Sequence, residues 1–252
     1  MIYPEVPAEV LRARRVWVLD LDGVVYAGSA LLPGAGEAVA RLRAAGRTVL
    51  FLSNNSGQRR AGVAAKLRRL GVPCDEAGLV TSGYAAGEAL VERGVRRVHV
   101  AGTDDLRAEV AARGLEVSDG PAVDAVLVGY DPDFHYAKLA TAFRRARAGA
   151  LLVACNRDRE FPGDGGVPWP ACAAMVGALE ESLGRRADLE VGKPSPLLLE
   201  LLAREHGFAL ADCVVVGDSP ESDLEMARRA GVPGFWVRGE VTLATAAAQG
   251  LD

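Results

Sequence analysis

Residues 16–26 read VWVLDLDGVVY, an apolar run that ends in two carboxylates one residue apart. The continuous apolar run predicts a strand over 16–19 that is buried on both faces, as strands of parallel sheets are. Side chains at i and i+2 of an extended chain point the same way, so Asp20 and Asp22 should both project from the strand end. Gly23 then permits a sharp turn. Because paired carboxylates repel each other, a divalent cation or a shared proton would make this arrangement favourable.

Two later segments repeat the design of an apolar strand followed by polar residues. The predicted strand 48–52 is followed by Ser-Asn-Asn-Ser at 53–56, and the apolar run 213–216 is followed by Gly-Asp-Ser at 217–219. Each polar segment taken alone is typical of a turn or a helix cap. In open α/β sheets, however, ligands bind at the carboxyl ends of the strands. Three strands with polar residues at that end therefore predict one shared site.

Four segments in this order resemble the motifs of the haloacid dehalogenase superfamily. They are DLDGVVY at 20–26, SNNS at 53–56, VGKPSP at 191–196 and GDSPESD at 217–223. The Val-Tyr pair, the doubled Asn and AKLRRLG at 65–71 are similar to its class IIA branch. That branch includes p-nitrophenyl, pyridoxal, phosphoglycolate and sugar-phosphate phosphatases. The resemblance implies hydrolysis of small phosphomonoesters through an aspartyl-phosphate, with Mg²⁺ as the cofactor.

The resemblance also implies a chemical role for the residues of the first two motifs. Asp20 would be the nucleophile that attacks phosphorus. The Asp22 side chain would act as general acid toward the leaving group and then as base toward water. Ser53, with the main-chain amides of Asn54 and Asn55, would hold the phosphate oxygens.

The last two motifs would supply charge and metal ligands. Lys193 would place a compact positive charge beside Asp20 and the phosphate. The implied Mg²⁺ ligands are Asp20, the main-chain carbonyl of Asp22, and Asp218. Asp223 would support the site by orienting a metal-bound water or Lys193.

The alternation of apolar runs with helical patterns predicts an α/β protein of two units. We expect a Rossmann-like parallel-sheet core at residues 1–81 and 190–252, with an inserted α/β cap domain at residues 82–189. In the class IIA branch the cap lies between the second and third motifs, and its closure over the core reads the leaving group.

Three residues of the insert are candidates for reading the substrate. Asn156 and Asp158 follow a predicted strand, and Trp169 lies in a loop at 161–170 that is rich in Gly and Pro. Relatives commonly have a Gly-containing turn where this chain has Trp-Pro-Ala-Cys at 169–172. Trp169 could therefore line the pocket or pack between the domains.

The composition excludes several functional classes. A formal net charge of −4 argues against a nucleic-acid or membrane-surface partner. No apolar run approaches the length of a membrane span, and the N-terminus lacks the pattern of a signal peptide. The 4 cysteines form no Cys-x-x-Cys pair, which favours a reduced cytoplasmic protein.

These observations leave alternatives open around one preferred function, an enzyme that acts on a small phosphorylated metabolite. A phosphotransferase or mutase would use the same nucleophile but exclude water. A non-catalytic protein that binds a phosphometabolite would keep the fold. A homodimer formed through the cap also stays open, because the sequence carries no signature of its surface.

Overall fold

The computed structural model describes residues 5–162 and 167–252, so part of the predicted loop 161–170 lies outside the described residues. The helices in chain order are α1 (Ala8–Arg12), α2 (Ala35–Ala44), α3 (Arg60–Arg69), α4 (Ser82–Glu92), α5 (Asp104–Ala111), α6 (Tyr136–Arg147), α7 (Cys172–Leu183), α8 (Leu197–His206), α9 (Glu225–Ala230) and α10 (Leu243–Leu251). The strands are β1 (Val16–Asp20), β2 (Tyr26–Ala27), β3 (Ala30–Leu31), β4 (Thr48–Ser53), β5 (Leu79–Thr81), β6 (Arg97–Ala101), β7 (Glu116–Val117), β8 (Ala125–Val128), β9 (Leu151–Ala154), β10 (Glu160–Pro162), β11 (Pro168–Pro170), β12 (Leu189–Glu190), β13 (Cys213–Gly217) and β14 (Gly234–Trp236).

The chain divides into two compact units. The first contains the residues up to Ser53, Ala64–Val80 and Lys193–Asp252, and the second contains Asn54–Val63 and Thr81–Gly192. The segment that follows β4 thus belongs to the second unit, and α3 begins there. The domain limits that we predicted from sequence, after residues 81 and 189, stay a prediction.

The first unit is built on a sheet with the strand order β14-β13-β1-β4-β5. β1 pairs in parallel with β13 on one side and with β4 on the other, and every residue of β1 and β13 is buried. The register places Asp20 opposite Leu52, and Leu19 opposite Val216. The predicted parallel α/β core is therefore confirmed, and the ends of three neighbouring strands carry the polar motifs.

The C-terminal helix α10 is a feature of the first unit that our sequence analysis missed. It begins at a capping box in which the Thr242 hydroxyl accepts from the Thr245 amide and the Thr245 hydroxyl accepts from the Thr242 amide. A Cβ at Gly250 would lie 2.4 Å from the Trp17 ring, so glycine lets this helix approach the buried indole. The helix buries Leu243, Ala246, Ala247 and Gly250, which follow helical spacing, so periodicity was an available signal for it.

The second unit is a separate α/β layer structure. Its sheet has the order β12-β9-β8-β6-β7, and the neighbouring strands are parallel. The edge strands β7 and β12 have two residues each, too few for a readable sequence pattern. Where we expected an irregular loop, β10 and β11 form an antiparallel pair in which Phe161 lies opposite Trp169. The described residues contain no helix long and apolar enough to cross a bilayer.

Candidate active site

Three carboxylates meet at the carboxyl end of the first sheet. One oxygen from each of Asp20, Asp218 and Asp223 lies within 4.8 Å of the others. Asp20 is the last residue of β1, whereas Asp218 directly follows β13 and Asp223 lies in the helical turn after it. The fold thus gathers the acidic residues that the sequence placed at separate strand ends.

Lys193 lies among these carboxylates and bridges two of them. Its Nζ donates a hydrogen bond of 2.6 Å to Asp20 Oδ1 and another of 2.6 Å to Asp223 Oδ1. Its side chain is 4% exposed, so these bonds are shielded from water. Burial alone would lower the pKa of Lys193, but the charges of Asp20 and Asp223 outweigh it and raise that pKa. The lysine is therefore held as a cation.

The cluster carries more negative charge than the ammonium group balances. Burial and the charge of Asp223 raise the pKa of Asp20 well above its usual value, and Lys193 only partly opposes this shift. The partial burial of its carboxyl and the charge of Asp223 raise the pKa of Asp218 to about 6. Crowded carboxylate oxygens with surplus negative charge are the ligand set that Mg²⁺ prefers.

Gly23 brings the backbone of the first motif against this ligand set. Its φ is +78°, a left-handed conformation that glycine adopts without strain. A Cβ at this position would lie 2.0 Å from Asp218 Oδ2. The close approach keeps a side chain out of the space beside the Asp218 carboxylate. The oxygen donors of Asp20, Asp218 and Asp223 fit a divalent cation. Whether the main-chain carbonyl of Asp22 joins that set stays a prediction.

The remaining residues of the first two motifs lie at the same sheet end in different environments. Ser53 is the buried last residue of β4, one position beyond the register partner of Asp20. The Asp22 side chain is exposed and is hydrogen-bonded to the buried phenol of Tyr26. Our sequence analysis used Tyr26 only as a family marker. A tyrosine four residues after an acid, across the turn that Gly23 permits, was the signal that the sequence offered for this contact.

Asn54 and Asn55 belong to the second unit, where both side chains hold local structure. The Asn54 Nδ2 donates to Asp158 Oδ1 at 2.9 Å. The Asn55 Oδ1 accepts from the amides of Gly57 and Gln58, both at 2.9 Å, just before α3 begins. The predicted binding of phosphate by their main-chain amides stays a prediction.

Two of the three candidate specificity residues belong to this same network of the second unit. The buried Asn156 side chain donates to the Asn54 carbonyl at 2.6 Å and accepts from the Asp158 amide at 3.1 Å. The Ser82 hydroxyl donates to the same Asn54 carbonyl at 2.7 Å. Trp169 stands apart on β11 with 56% of its surface exposed. The predicted pair Asn156 and Asp158 is thus joined to Asn54.

Comparison with known proteins places this site in a family. A model of haloacid dehalogenase-like hydrolases matches residues 17–116, and a second model of the same description matches residues 79–231. Rat chronophin is 37% identical over 238 residues, which cover 89% of this chain and 76% of chronophin.

Solved structures agree with the sequence comparison. The 4-nitrophenylphosphatase of Thermotoga maritima superposes with a TM-score of 0.86 at 31% identity, covering 92% of this chain and 89% of that one. A glycerol phosphate phosphatase of Mycobacterium tuberculosis, solved in complex with magnesium, gives a TM-score of 0.82 at 33% identity over 90% of this chain and 68% of its own. The chain belongs to the haloacid dehalogenase-like hydrolases, within the class IIA phosphatase branch, and it is a phosphomonoester phosphatase that uses Mg²⁺.

Proposed function

We propose that this phosphatase forms its phosphoenzyme on Asp20. An Asp20 carboxylate oxygen bonds to phosphorus as the ester P–O bond breaks, and Asp22 gives a proton to the departing alkoxide oxygen. Water then attacks the phosphorus of the aspartyl-phosphate while Asp22 takes a proton from it. The bond between phosphorus and Asp20 breaks, which releases inorganic phosphate and restores both carboxyl groups.

The single observation that carries this proposal is the bridge from Lys193 to Asp20 and Asp223. The ammonium at 2.6 Å from the Asp20 oxygen opposes protonation of the nucleophile and supplies positive charge where phosphoryl oxygens would gather. Asp223, bonded to the same ammonium, fixes the position of the lysine. We assign phosphate binding to Ser53 with the amides of Asn54 and Asn55.

The metal would be held by Asp20 and Asp218, with the Asp22 carbonyl as a further ligand and Asp223 in support. When bound, Mg²⁺ supplies neutralisation of the negative charge that spreads over the phosphoryl oxygens. The raised pKa values of Asp20 and Asp218 support this assignment, because burial and the charge of Asp223 both disfavour the ionised carboxylates and a bound cation would oppose that shift.

We further propose that the second unit is a cap that reads the leaving group, with domain limits at 82–189. Asn156, Asp158 and Trp169 are the candidate residues, and the exposed indole offers an apolar surface for the organic part of a substrate. The preferred substrates are small phosphomonoesters such as glycerol and sugar phosphates. A panel of phosphometabolites assayed with the parent and with Trp169→Ala tests this: a change in substrate ranking supports the cap, and an unchanged ranking contradicts the role of Trp169.

The proposed function includes a cellular location, a choice of partners and an oligomeric state for the enzyme. A cytoplasmic location is supported by the described cysteines, which are free and buried. We propose that neither nucleic acid nor a membrane is a partner, in keeping with the net charge of −4. A homodimer through the second unit is testable by light scattering during size-exclusion chromatography.

The decisive test of the nucleophile is Asp20→Asn. This change removes nucleophilicity with almost no change in volume, so turnover should fall by at least about a thousandfold while the melting temperature in Mg²⁺-free buffer does not fall. Acid quenching of the parent with ³²P-labelled substrate should trap labelled protein, and the variant should carry no label. Labelling of Asp20→Asn equal to that of the parent would place the nucleophile elsewhere.

A further inference from the structure

Tyr26 is a fully buried tyrosine whose hydroxyl is directed at the exposed acid of the first motif. Its side chain is 1% exposed, and its hydroxyl is hydrogen-bonded to the Asp22 carboxyl. A carboxylate only accepts hydrogen bonds, so the phenol is the donor in this bond. A buried hydroxyl without a partner would be costly, which makes this contact a fixed feature of the turn.

The backbone between the two residues fixes the geometry of the contact. The Gly23 amide donates to the Tyr26 carbonyl at 2.9 Å, and the Val25 and Tyr26 amides both donate to the Leu21 carbonyl. Asp22 and Tyr26 also form an isolated β-bridge. The turn therefore holds the phenol beside the carboxyl, although Asp22 itself lies on an exposed part of the chain.

Lys66 covers one face of the Tyr26 ring. Its Nζ lies 3.5 Å from the centroid of the Tyr26 ring, within the range of a cation–π contact. The lysine belongs to α3, in the part of that helix that packs in the first unit. Burial lowers the pKa of Lys66, and the charge of Asp22 partly opposes that shift.

We propose that Tyr26, held in place by Lys66, is the positioning residue that orients Asp22 for proton transfer to the leaving group. This inference rests on the proposed role of Asp22 as the general acid. A neutral carboxyl carries its proton on one oxygen. The phenol donates to one oxygen of Asp22, so that oxygen accepts and the proton resides on the other, which is then the oxygen available to protonate the leaving group. When Asp22 has given up this proton, the Tyr26 hydroxyl and the Lys66 charge stabilise the carboxylate that awaits water.

The test is Tyr26→Phe, which removes one hydroxyl and keeps the ring beneath Lys66. kcat/KM should be measured with p-nitrophenyl phosphate, whose leaving group needs little protonation, and with glycerol phosphate, whose alkoxide needs a proton. General acid catalysis contributes about 10²–10⁴-fold to such a step. Because the acid is misoriented in Tyr26→Phe, we expect kcat/KM to fall roughly tenfold with glycerol phosphate and less than about twofold with p-nitrophenyl phosphate. Inhibition by inorganic phosphate should be unchanged.

Three further variants make the result specific. Tyr84→Phe is the matched control, because it also removes the hydroxyl of a buried tyrosine whose ring lies beneath a cation. The Arg60 Cζ is 3.7 Å from the centroid of the Tyr84 ring. This variant should keep the parent's ratio of kcat/KM for the two substrates. Lys66→Met should shift that ratio in the same direction as Tyr26→Phe but by less. Asp22→Asn should lose the acid outright, and adding Tyr26→Phe to it should cause no further loss, because the phenol acts through Asp22.

The outcomes separate this inference from the function on which it rests. If Asp22→Asn lowers kcat/KM equally for both substrates, Asp22 is not the acid, and both the proposed mechanism and the role of Tyr26 fail. If Asp22→Asn penalises glycerol phosphate selectively but Tyr26→Phe lowers both substrates alike, the phenol is merely structural and only this inference fails. Full additivity of the two changes would likewise overturn it.

Discussion

Replacing Lys193 by methionine should remove the charge that holds the acidic cluster together while keeping most of the apolar stem. The ammonium donates to two buried carboxylates at 2.6 Å, and the three side chains are nearly excluded from solvent. Breaking a buried ion pair by removing one partner costs about 3–5 kcal/mol, because the remaining charge stays buried. In chelating buffer at pH 8 we therefore expect Lys193→Met to lower the free energy of unfolding by roughly 4 kcal/mol.

The size of this loss should depend on pH in one direction. The lysine opposes the upward shift in the pKa of Asp20, so its removal raises that pKa further. A carboxyl whose pKa is higher in the folded than in the unfolded state binds a proton on folding. Its contribution therefore favours the folded state at acid pH and is lost as the pH rises through the folded-state pKa. The destabilisation by Lys193→Met should accordingly be smaller at pH 5 than at pH 8.

Turnover supplies a second readout of the same change. Preorganised charge at a site of developing negative charge contributes about 2.7–4 kcal/mol, so we expect kcat to fall by roughly 10²–10³-fold with saturating Mg²⁺. Urea unfolding followed by circular dichroism at the two pH values, together with p-nitrophenyl phosphate hydrolysis, measures both effects.

The second unit offers a matched control for Lys193. Lys138 Nζ donates to Asp131 Oδ2 at 2.7 Å, and the Asp131 side chain is 3% exposed. Lys138→Met should lower stability yet leave kcat within about twofold, because this pair takes no part in the proposed chemistry. The reasoning is wrong if Lys193→Met keeps kcat within twofold of the parent, or if its loss of stability is the same at pH 5 and pH 8.

Three further changes probe other parts of the structure. Gly23→Ala would force a Cβ to 2.0 Å from Asp218 Oδ2 in a left-handed turn, so both thermal stability and Mg²⁺ activation should fall; an unchanged Mg²⁺ titration would contradict this. Asp218→Asn should raise the Mg²⁺ concentration for half-maximal activity by at least about tenfold, measured by adding Mg²⁺ back to chelated enzyme. Hydrogen bonds from Arg157 lower the pKa of Glu180 from 4.5 to about 2. This carboxylate stabilises the fold above pH 4.5 and loses its effect as the pH falls toward 2, so Glu180→Gln should cost roughly 3 kcal/mol at pH 7 and clearly less at pH 3 by urea unfolding.

The core site was largely predictable because most of its residues lie in short sequence motifs that directly follow apolar runs. Apolar runs at 16–19, 48–52 and 213–216 end in polar motifs, and parallel strands bring such ends to one sheet edge. That argument alone anticipated that Asp20 and Asp218 would meet. The pairing of Lys193 with Asp20 spans 173 positions of sequence, and only the family resemblance predicted it. Lys193 does not end an apolar strand of the first sheet, so the argument from strand ends did not reach it.

Other features escaped prediction because their determinants are weak or nonlocal. Strands of two residues carry no period, and the hairpin of β10 and β11 contains prolines that favour a loop assignment. We predicted that Asn54 binds phosphate through its main-chain amide and that Asn156 reads the substrate. The structure adds that the side chains of both make hydrogen bonds within the second unit. Their partners lie about a hundred positions away in sequence. The motif therefore identified these positions without revealing what their side chains contact.

The two acids of the first motif show how a repeated residue type acquires two chemical tasks. Alternation predicts that Asp20 and Asp22 leave the strand on one side, but the chain turns at Gly23 and gives them unlike surroundings. Asp20 is buried against a lysine and two further carboxylates, an environment that suits a nucleophile once positive charge is supplied. Asp22 is exposed and meets a neutral phenol, so it can exchange a proton with a leaving group or with water. Acid–base roles commonly separate through such differences in environment. The division of labour between the two carboxyl groups therefore depends on the turn from Leu21 to Tyr26 as much as on the acids themselves.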